Sequence, residues 1–359
     1  MPRTHVRLLP AMAVLLTLVG AAQGQAASAN QNQKTLAVVS YGGGTYQGSH
    51  KKAFIDPFCA QQKAACQSVV WNAEYGRLAQ MVRSGRVTWD VVVVTAAQFA
   101  RGKREGLFAR LARLPDSNTF RALERGPAAE MFGVPNVYWS TALGYRSDWQ
   151  TGGQPSTWSD FWDTTRHPGP RALHDGPRGN LEFALLADGV AIDHLYPLDV
   201  DRAFRKLDAI RPHIRVWWGD GTEPVNLLLT RQVIMTSLWT GRVFASRAAK
   251  AEIRFSWAGA AHELDYWIVP KGSPAVLLAS EFITFASGPA AMARQAEFTA
   301  YGPSNALALA NVDKAVLGDL PTAPANWRIS FVIDSDWWAA NEQQMAARWA
   351  AWKNVGTRR

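Results

Sequence analysis

The sequence predicts an α/β protein built as two domains. Residues 89–95 (WDVVVVT) form an unbroken apolar run, as expected of a strand buried on both faces of a parallel sheet. Strand-like and helix-like segments alternate from Thr35 onward, the pattern of a layered α/β architecture. About 330 residues remain once an N-terminal leader is set aside, more than one hydrophobic core usually serves.

Residues 1–24 read as a signal peptide. Arg3 and Arg7 give a positive start, residues 8–22 carry no charge, and Ala22-Gln23-Gly24 offers a small-x-small cleavage site. The apolar run is short for a membrane span, the alternative being an uncleaved anchor. No cysteine follows it to carry a lipid, and the mature protein is expected in the periplasm. Residues 25–33 are polar and read as a disordered linker.

Residues 35–40 (TLAVVS) read as the first strand, running into the turn Tyr41-Gly42-Gly43-Gly44-Thr45. A helix is expected over 49–62, with Phe54, Ile55 and Phe58 on one side. Residues 68–71 (SVVW) read as a second strand and 76–85 as a short helix. Residues 134–139 and 143–146 look like two strands meeting at Ser140 and Thr141. A turn-rich stretch covers 152–163. A helix resumes over 181–191, and further strands are expected over 233–238 and 266–269. Trp338, Met345, Trp349 and Trp352 recur at the amphipathic helical period, a stripe read as core packing.

The formal charge of +9 falls to +7 when Arg3 and Arg7 leave with the leader. The basic residues are dispersed, so no nucleic-acid partner is expected. Cys59 and Cys66 are the only cysteines, and an oxidising compartment would allow one disulfide. On a continuous helix they would stand two turns apart, too far to bridge, so a bond requires the chain to turn between them. No further Cys or paired His stands at zinc-ligand spacing, and neither metal nor cofactor is expected.

Tryptophan is the most informative residue type. There are 16, several beside glycine in presumptive loops: Trp217-Trp218-Gly219, Trp239-Thr240-Gly241, Trp257-Ala258-Gly259. An indole face attracts a cation, by roughly 0.5–2 kcal/mol depending on exposure. Acids stand nearby: Asp220 and Glu223 behind Trp218, and Glu263 and Asp265, which would share one face of a strand. A carboxylate beside an indole suits an ammonium. The turn at Tyr41 to Thr45 is either a ligand loop at the end of a parallel strand or a bare turn. It matches neither a Walker loop nor a dinucleotide fingerprint. Ser49-His50-Lys51-Lys52 fits the acylating S-x-x-K pattern, but its companion motifs are absent.

The chain also resembles periplasmic substrate-binding proteins of ABC importers, in the spermidine/putrescine-binding family. The motifs that carry the resemblance run in order through residues 34–352: SYGG and AFIDPF, WDVVVV, GVPNVYWSTALGYRSD, PSTWSDFWD, LWTGRV, DYWIVPKGSP and YGPSN. The resemblance implies two α/β lobes joined by a hinge and closing on a ligand in the central cleft. It implies that Trp239 stacks on the ligand, that Asp265 binds an amino group, and that Thr95 lines the cleft. Tyr301 and Asn305 would stand at its far wall. Tyr41, Thr45 and Trp218 are further candidates from the loops they occupy. Three departures, at Ser40-Tyr41-Gly42, Ala96-Ala97 and Gly179-Asn180, widen the expected ligand from a polyamine to a related small amino compound.

Lobe one is expected to hold residues 34–139 and 268–310, and lobe two residues 140–267 and 311–359. Crossings would fall near residues 140–143, 265–267 and 310. The expected function is that of a monomeric, non-enzymatic solute receptor serving an ABC permease of the inner membrane. The alternatives are a secreted hydrolase, by serine acyl transfer or on glycans, and a receptor for an anion or ferric ion.

Overall fold

A computed structural model describes residues 34–354 except 43, 125, 149–150 and 247–251, and the side chain of Thr45 also lies outside the described residues. Its organising feature is a single mixed sheet of ten strands. These are β1 (Thr35–Tyr41), β2 (Ala65–Trp71), β3 (Val91–Thr95), β4 (Val134–Arg146), β5 (Arg171–His174), β6 (Ile214–Trp218), β7 (Met235–Trp239), β8 (Ile253–Ile268), β9 (Gly302–Pro303) and β10 (Phe331–Val332). The path across the sheet is β2-β1-β3-β8-β4-β7-β5-β6, with β9 beside β4 and β10 beside β8.

The sheet has two parallel groups and an antiparallel middle. β1 lies between β2 and β3, all parallel. β5 lies between β6 and β7, again all parallel. The long strands β4 and β8 run antiparallel to each other and bridge the groups. Residues 265–268 of β8 pair with β3, while residues 141–145 of β4 pair with β7. Each long strand therefore begins in one half and ends in the other.

The cores divide in the same way. Leu36, Val38, Phe54, Phe58, Val91, Val93, Trp267 and Phe282 pack on one face of the first half. Val39, Trp71, Val92, Val94, Phe99, Leu264 and Tyr266 pack on the other. The apolar run predicted as a doubly covered strand alternates between these two cores, which is why it shows no polar face. In the second half, Leu143, Trp158, Phe161, Leu173, Phe183, Ala261, Trp338, Met345 and Trp349 form the largest core, so the C-terminal stripe is packing as expected.

Several sequence expectations need correction. Residues 134–146 are one strand, not two. The polar pair read as a turn stays extended because Ser140 is buried and shares a 2.6 Å hydrogen bond with His262 Nδ1 on β8. The register instead shifts between Thr141 and Leu143. The strand expected over 266–269 is the end of the 16-residue β8. The helix expected over 181–191 spans only Asn180–Ala187, and Gly189, at a φ of 86°, turns the chain away. Leu264 and Tyr266 sit in a core of the first half and Ala261 in one of the second, so β8 passes between cores at residues 261–264.

The cysteines resolve their geometric objection. The helix Asp56–Gln62 stops at Lys63, which adopts a left-handed φ of 51°. The chain reverses there and enters β2, bringing Cys66 to a Cα–Cα distance of 6.2 Å from Cys59, and the two are disulfide-bonded.

Candidate ligand-binding site

The C-terminal ends of β1, β2 and β3 in the first half and of β7 in the second face a common cavity. Open α/β sheets place ligands at such ends. Tyr41 closes β1, Trp71 closes β2, Thr95 closes β3 and Trp239 closes β7. These four side chains line a cavity of about 310 Å³ with Gly42, Tyr46, Asn72, Ala73, Trp139, Arg242, Asp265 and Tyr301. That volume lies near the small end of the ~300–1,000 Å³ range of ligand pockets. Six of the lining side chains are aromatic.

Asp265 is the cavity's carboxylate. β8 holds it in register with Thr95, and it is 1 % exposed. It accepts hydrogen bonds from the Tyr46 hydroxyl at 3.2 Å and the Trp139 indole N–H at 3.4 Å. Burial pushes the Asp265 carboxyl up to about 8, with the neighbouring Glu263 adding to the rise and the two hydrogen bonds opposing it. Glu263, one alternation along the strand, is paired with Arg178 at 3.1 Å. Of the two acids predicted to share a face, one is thus already neutralised and the other meets only neutral donors.

Arg242 is the cavity's cation. It lies three residues past Trp239, in the helix Thr240–Ser246 that follows β7 directly, and lines the cavity with that ring. Its Nε is buried without a hydrogen-bond partner, as are the Tyr41 hydroxyl and the Trp71 indole N–H. Buried polar atoms in native proteins nearly always find partners. Three such donors around one cavity suit an oxygen-rich anionic group.

The aromatic walls brace one another. Tyr41 stacks on Trp71 at 6.2 Å and on Tyr46 at 5.8 Å, and Tyr46 meets Tyr301 at 5.4 Å. On the opposite side Trp139 and Trp239 meet edge to face at 5.8 Å. Burial raises the Tyr301 phenol to about 12 and holds the buried His50, beneath Tyr46, down to about 3.

Of the residues expected from sequence, Tyr41, Thr95, Trp239, Asp265 and Tyr301 all line the cavity. Trp218 does not. It is fully buried and packs edge-on against Trp239 at 5.7 Å, because β6 lies two strands from β7 in the same sheet, with β5 between them. Asn305 is also a correction. Its side chain accepts from the N–H groups of Arg121 and Leu307 and donates to the carbonyls of Thr119 and Ser287, which uses its hydrogen-bonding capacity on the loop. The Thr45 side chain lies outside the described residues.

Tyr46, Trp71, Asn72, Trp139 and Arg242 were not expected from sequence. Arg242 stood in the motif LWTGRV, three residues past Trp239, with no pattern of its own to mark it. Trp139 had none either, since it reaches Asp265 only through the β4–β8 register. The serine-acylation pattern dissolves: the Ser49 hydroxyl is buried and donates to the Tyr46 carbonyl at 2.7 Å, while Lys52 lies over the Phe298 ring. Among the described residues, no group of three His, Cys, Asp or Glu side chains is placed to hold a metal ion.

A cavity at converging strand ends, lined from both halves of a bridged sheet, defines a receptor for a small solute. Residues 63–325 match the family described as bacterial extracellular solute-binding protein, and the chain belongs to that family. It is 36 % identical over 334 residues to the gamma-aminobutyric acid-binding protein of Pseudomonas aeruginosa, covering 91 % of this chain and 93 % of that one. The spermidine/putrescine-binding periplasmic protein of Salmonella typhimurium is more distant, at 22 % over 250 residues, 67 % of this chain and 71 % of that one. Among solved structures, an ABC transporter substrate-binding protein from Bradyrhizobium japonicum superposes with a TM-score of 0.82 at 31 % identity, over 89 % of this chain and 99 % of that one. The Atu4243-GABA receptor gives a TM-score of 0.79 at 32 % identity, over 89 % and 97 %. The fold is that of the periplasmic binding proteins, and the chain is a solute receptor of the ABC-transporter class.

Proposed function

We propose that the protein captures a small zwitterionic amino compound, an ω-amino acid of the 4-aminobutyrate class, and presents it to an ABC permease. The observation that carries this reading is the pairing of Asp265 and Arg242 in one aromatic cavity. Asp265 takes the ammonium, Arg242 takes the carboxylate, and the rings cover the methylene chain. A guanidinium suits a carboxylate because its planar N–H groups match both oxygens. A polyamine fits less well: its second ammonium meets Arg242, and the nearby Glu263 is held by Arg178. The relative named for gamma-aminobutyric acid and the GABA receptor structure support the same reading.

Binding is coupled to closure of two lobes, with the hinge at residues 138–141 of β4 and 261–264 of β8. The protein acts as a monomer in the periplasm after loss of a leader ending near Gly24. N-terminal sequencing of exported protein checks the leader, and a mature chain still beginning at Met1 rejects it. A thermal-shift screen with 4-aminobutyrate, putrescine, opines and sugars tests the ligand class, because only a compound that binds the folded state raises the melting point. The expected result is a rise with 4-aminobutyrate larger than with putrescine at equal concentration.

A further inference from the structure

We propose that Gly221 and Gly241 set the length of ligand the cavity accepts, by letting the rings of Trp239 and Tyr301 lie back from it. The proposal deepens the amino-compound reading above and rests on it for the identity of the ligand, though not for the packing itself.

Neither glycine is demanded by the backbone. Gly179, Gly189 and Gly272 have the positive φ that favours glycine, at 82°, 86° and 95°, whereas Gly221 and Gly241 lie outside that region. Gly241 even stands inside a short helix, where glycine is the poorest ordinary choice. What both positions share is contact. A Cβ on Gly221 would lie 2.1 Å from Trp239 Cζ3 and 2.2 Å from its Cε3. A Cβ on Gly241 would lie 2.3 Å from Tyr301 Cε1 and 3.2 Å from the Thr299 carbonyl oxygen. Carbon atoms settle at about 3.5–4.0 Å, so either methyl must displace the ring beside it.

The rings have one direction open to them. Behind Trp239 stands Trp218, fully buried and edge-on at 5.7 Å, and beside it Trp139 at 5.8 Å. The remaining side is the cavity. Tyr301 meets the buried Tyr46 beside it at 5.4 Å, and the Tyr46 hydroxyl is bonded to Asp265, so the Tyr301 ring is hemmed in on that side. Adding a methyl at either glycine therefore moves an aromatic wall inward and narrows the room in which a longer chain must fold between Asp265 and Arg242. The two anchors stay, so a short ligand still reaches both.

The test uses Gly221→Ala and Gly241→Ala with β-alanine, 4-aminobutyrate, 5-aminopentanoate and 6-aminohexanoate as probes, by calorimetry, together with crystal structures of the unliganded variants. Overpacking of this size weakens the longest probe that the wild type binds by about tenfold or more, while β-alanine changes by less than about threefold. The crystals should show the Trp239 or Tyr301 ring shifted into the cavity. Adding Trp239→Phe to Gly221→Ala should restore part of the lost length, since the smaller ring yields the space. Unchanged relative affinities along the series overturn the proposal. So does a ring that stays in place while residues 219–221 move outward. If the wild type binds none of the four probes, the amino-acid reading fails, and the ring positions in the crystals still decide the role of the glycines.

Discussion

At the scale of the residue, the proposed binding turns on Asp265, the carboxylate that lines the cavity. A carboxyl that is 1 % exposed and meets only neutral donors favours its protonated form, and burial sets it near 8. An ammonium ligand requires the ionised form. Binding at pH 7 should therefore release a proton, and affinity should rise with pH up to about 8, by at most tenfold per unit. Calorimetry in two buffers of different ionisation enthalpy measures the proton directly. Equal heats in both buffers would contradict the coupling. Asp265→Asn should abolish the proton release and weaken an amine ligand by at least about thirtyfold where Asp265 is ionised, since losing a buried charge partner costs about 2–5 kcal/mol.

The same shift has a stability consequence. The folded carboxyl binds its proton up to about 8, the unfolded one only up to its ordinary value near 4. The native state thus holds more protons between those values, and the unliganded protein loses stability as pH rises through that window, by at most about 1.4 kcal/mol per unit. His50, held down to about 3, acts in the opposite sense below the ordinary histidine value. Comparing urea unfolding of wild type and Asp265→Asn at pH 5 and pH 8 isolates the carboxyl. The variant should gain stability relative to wild type at the higher pH, and a constant difference would rule the shift out.

At the scale of the element, what the sequence made legible was local. The buried strand β3, the helix turn at Lys63 that frees the disulfide, and the C-terminal stripe all follow from patterns within a few residues. Trp239 and Asp265 stood out as an indole and an acid at segment ends. The missed features are those made by register. Nothing near Ser140 in the sequence indicates that His262 lies opposite it and keeps β4 extended, and nothing near Trp139 indicates Asp265. Trp218 misled because β6 stands two strands from β7 and its last residue packs into the core against Trp239, which periodicity does not report. The disulfide between the helix Asp56–Gln62 and β2 is a small closed loop, and Cys59→Ser with Cys66→Ser should cost about 2–3 kcal/mol. Urea unfolding measures this; a variant as stable as the oxidised wild type would show that the link adds nothing.

At the scale of the whole molecule, the two parallel groups of strands are joined within the described sheet through the long pair β4 and β8, a geometry suited to hinged closure. The basic exterior does not oppose an amino ligand, because a cleft focuses the field of the charges that line it. The proposed zwitterionic ligand would remove the rest of the conflict, since it carries no net charge into a basic protein. Closure should bring Trp139 and Trp239 out of water, so ligand should shift tryptophan emission to the blue without being consumed. Turnover of the ligand would point to an enzyme instead.

The most direct test of a two-anchor site is calorimetry of the wild type with 4-aminobutyrate, butylamine and butyrate at one pH. Each truncated compound keeps the methylene chain and loses one charged end. If Asp265 and Arg242 hold the two ends, 4-aminobutyrate binds, and each truncated compound binds at least about thirtyfold more weakly, the low end of a lost buried charge pair. Butylamine binding as tightly as 4-aminobutyrate would show that Arg242 holds no carboxylate and contradict the zwitterion assignment.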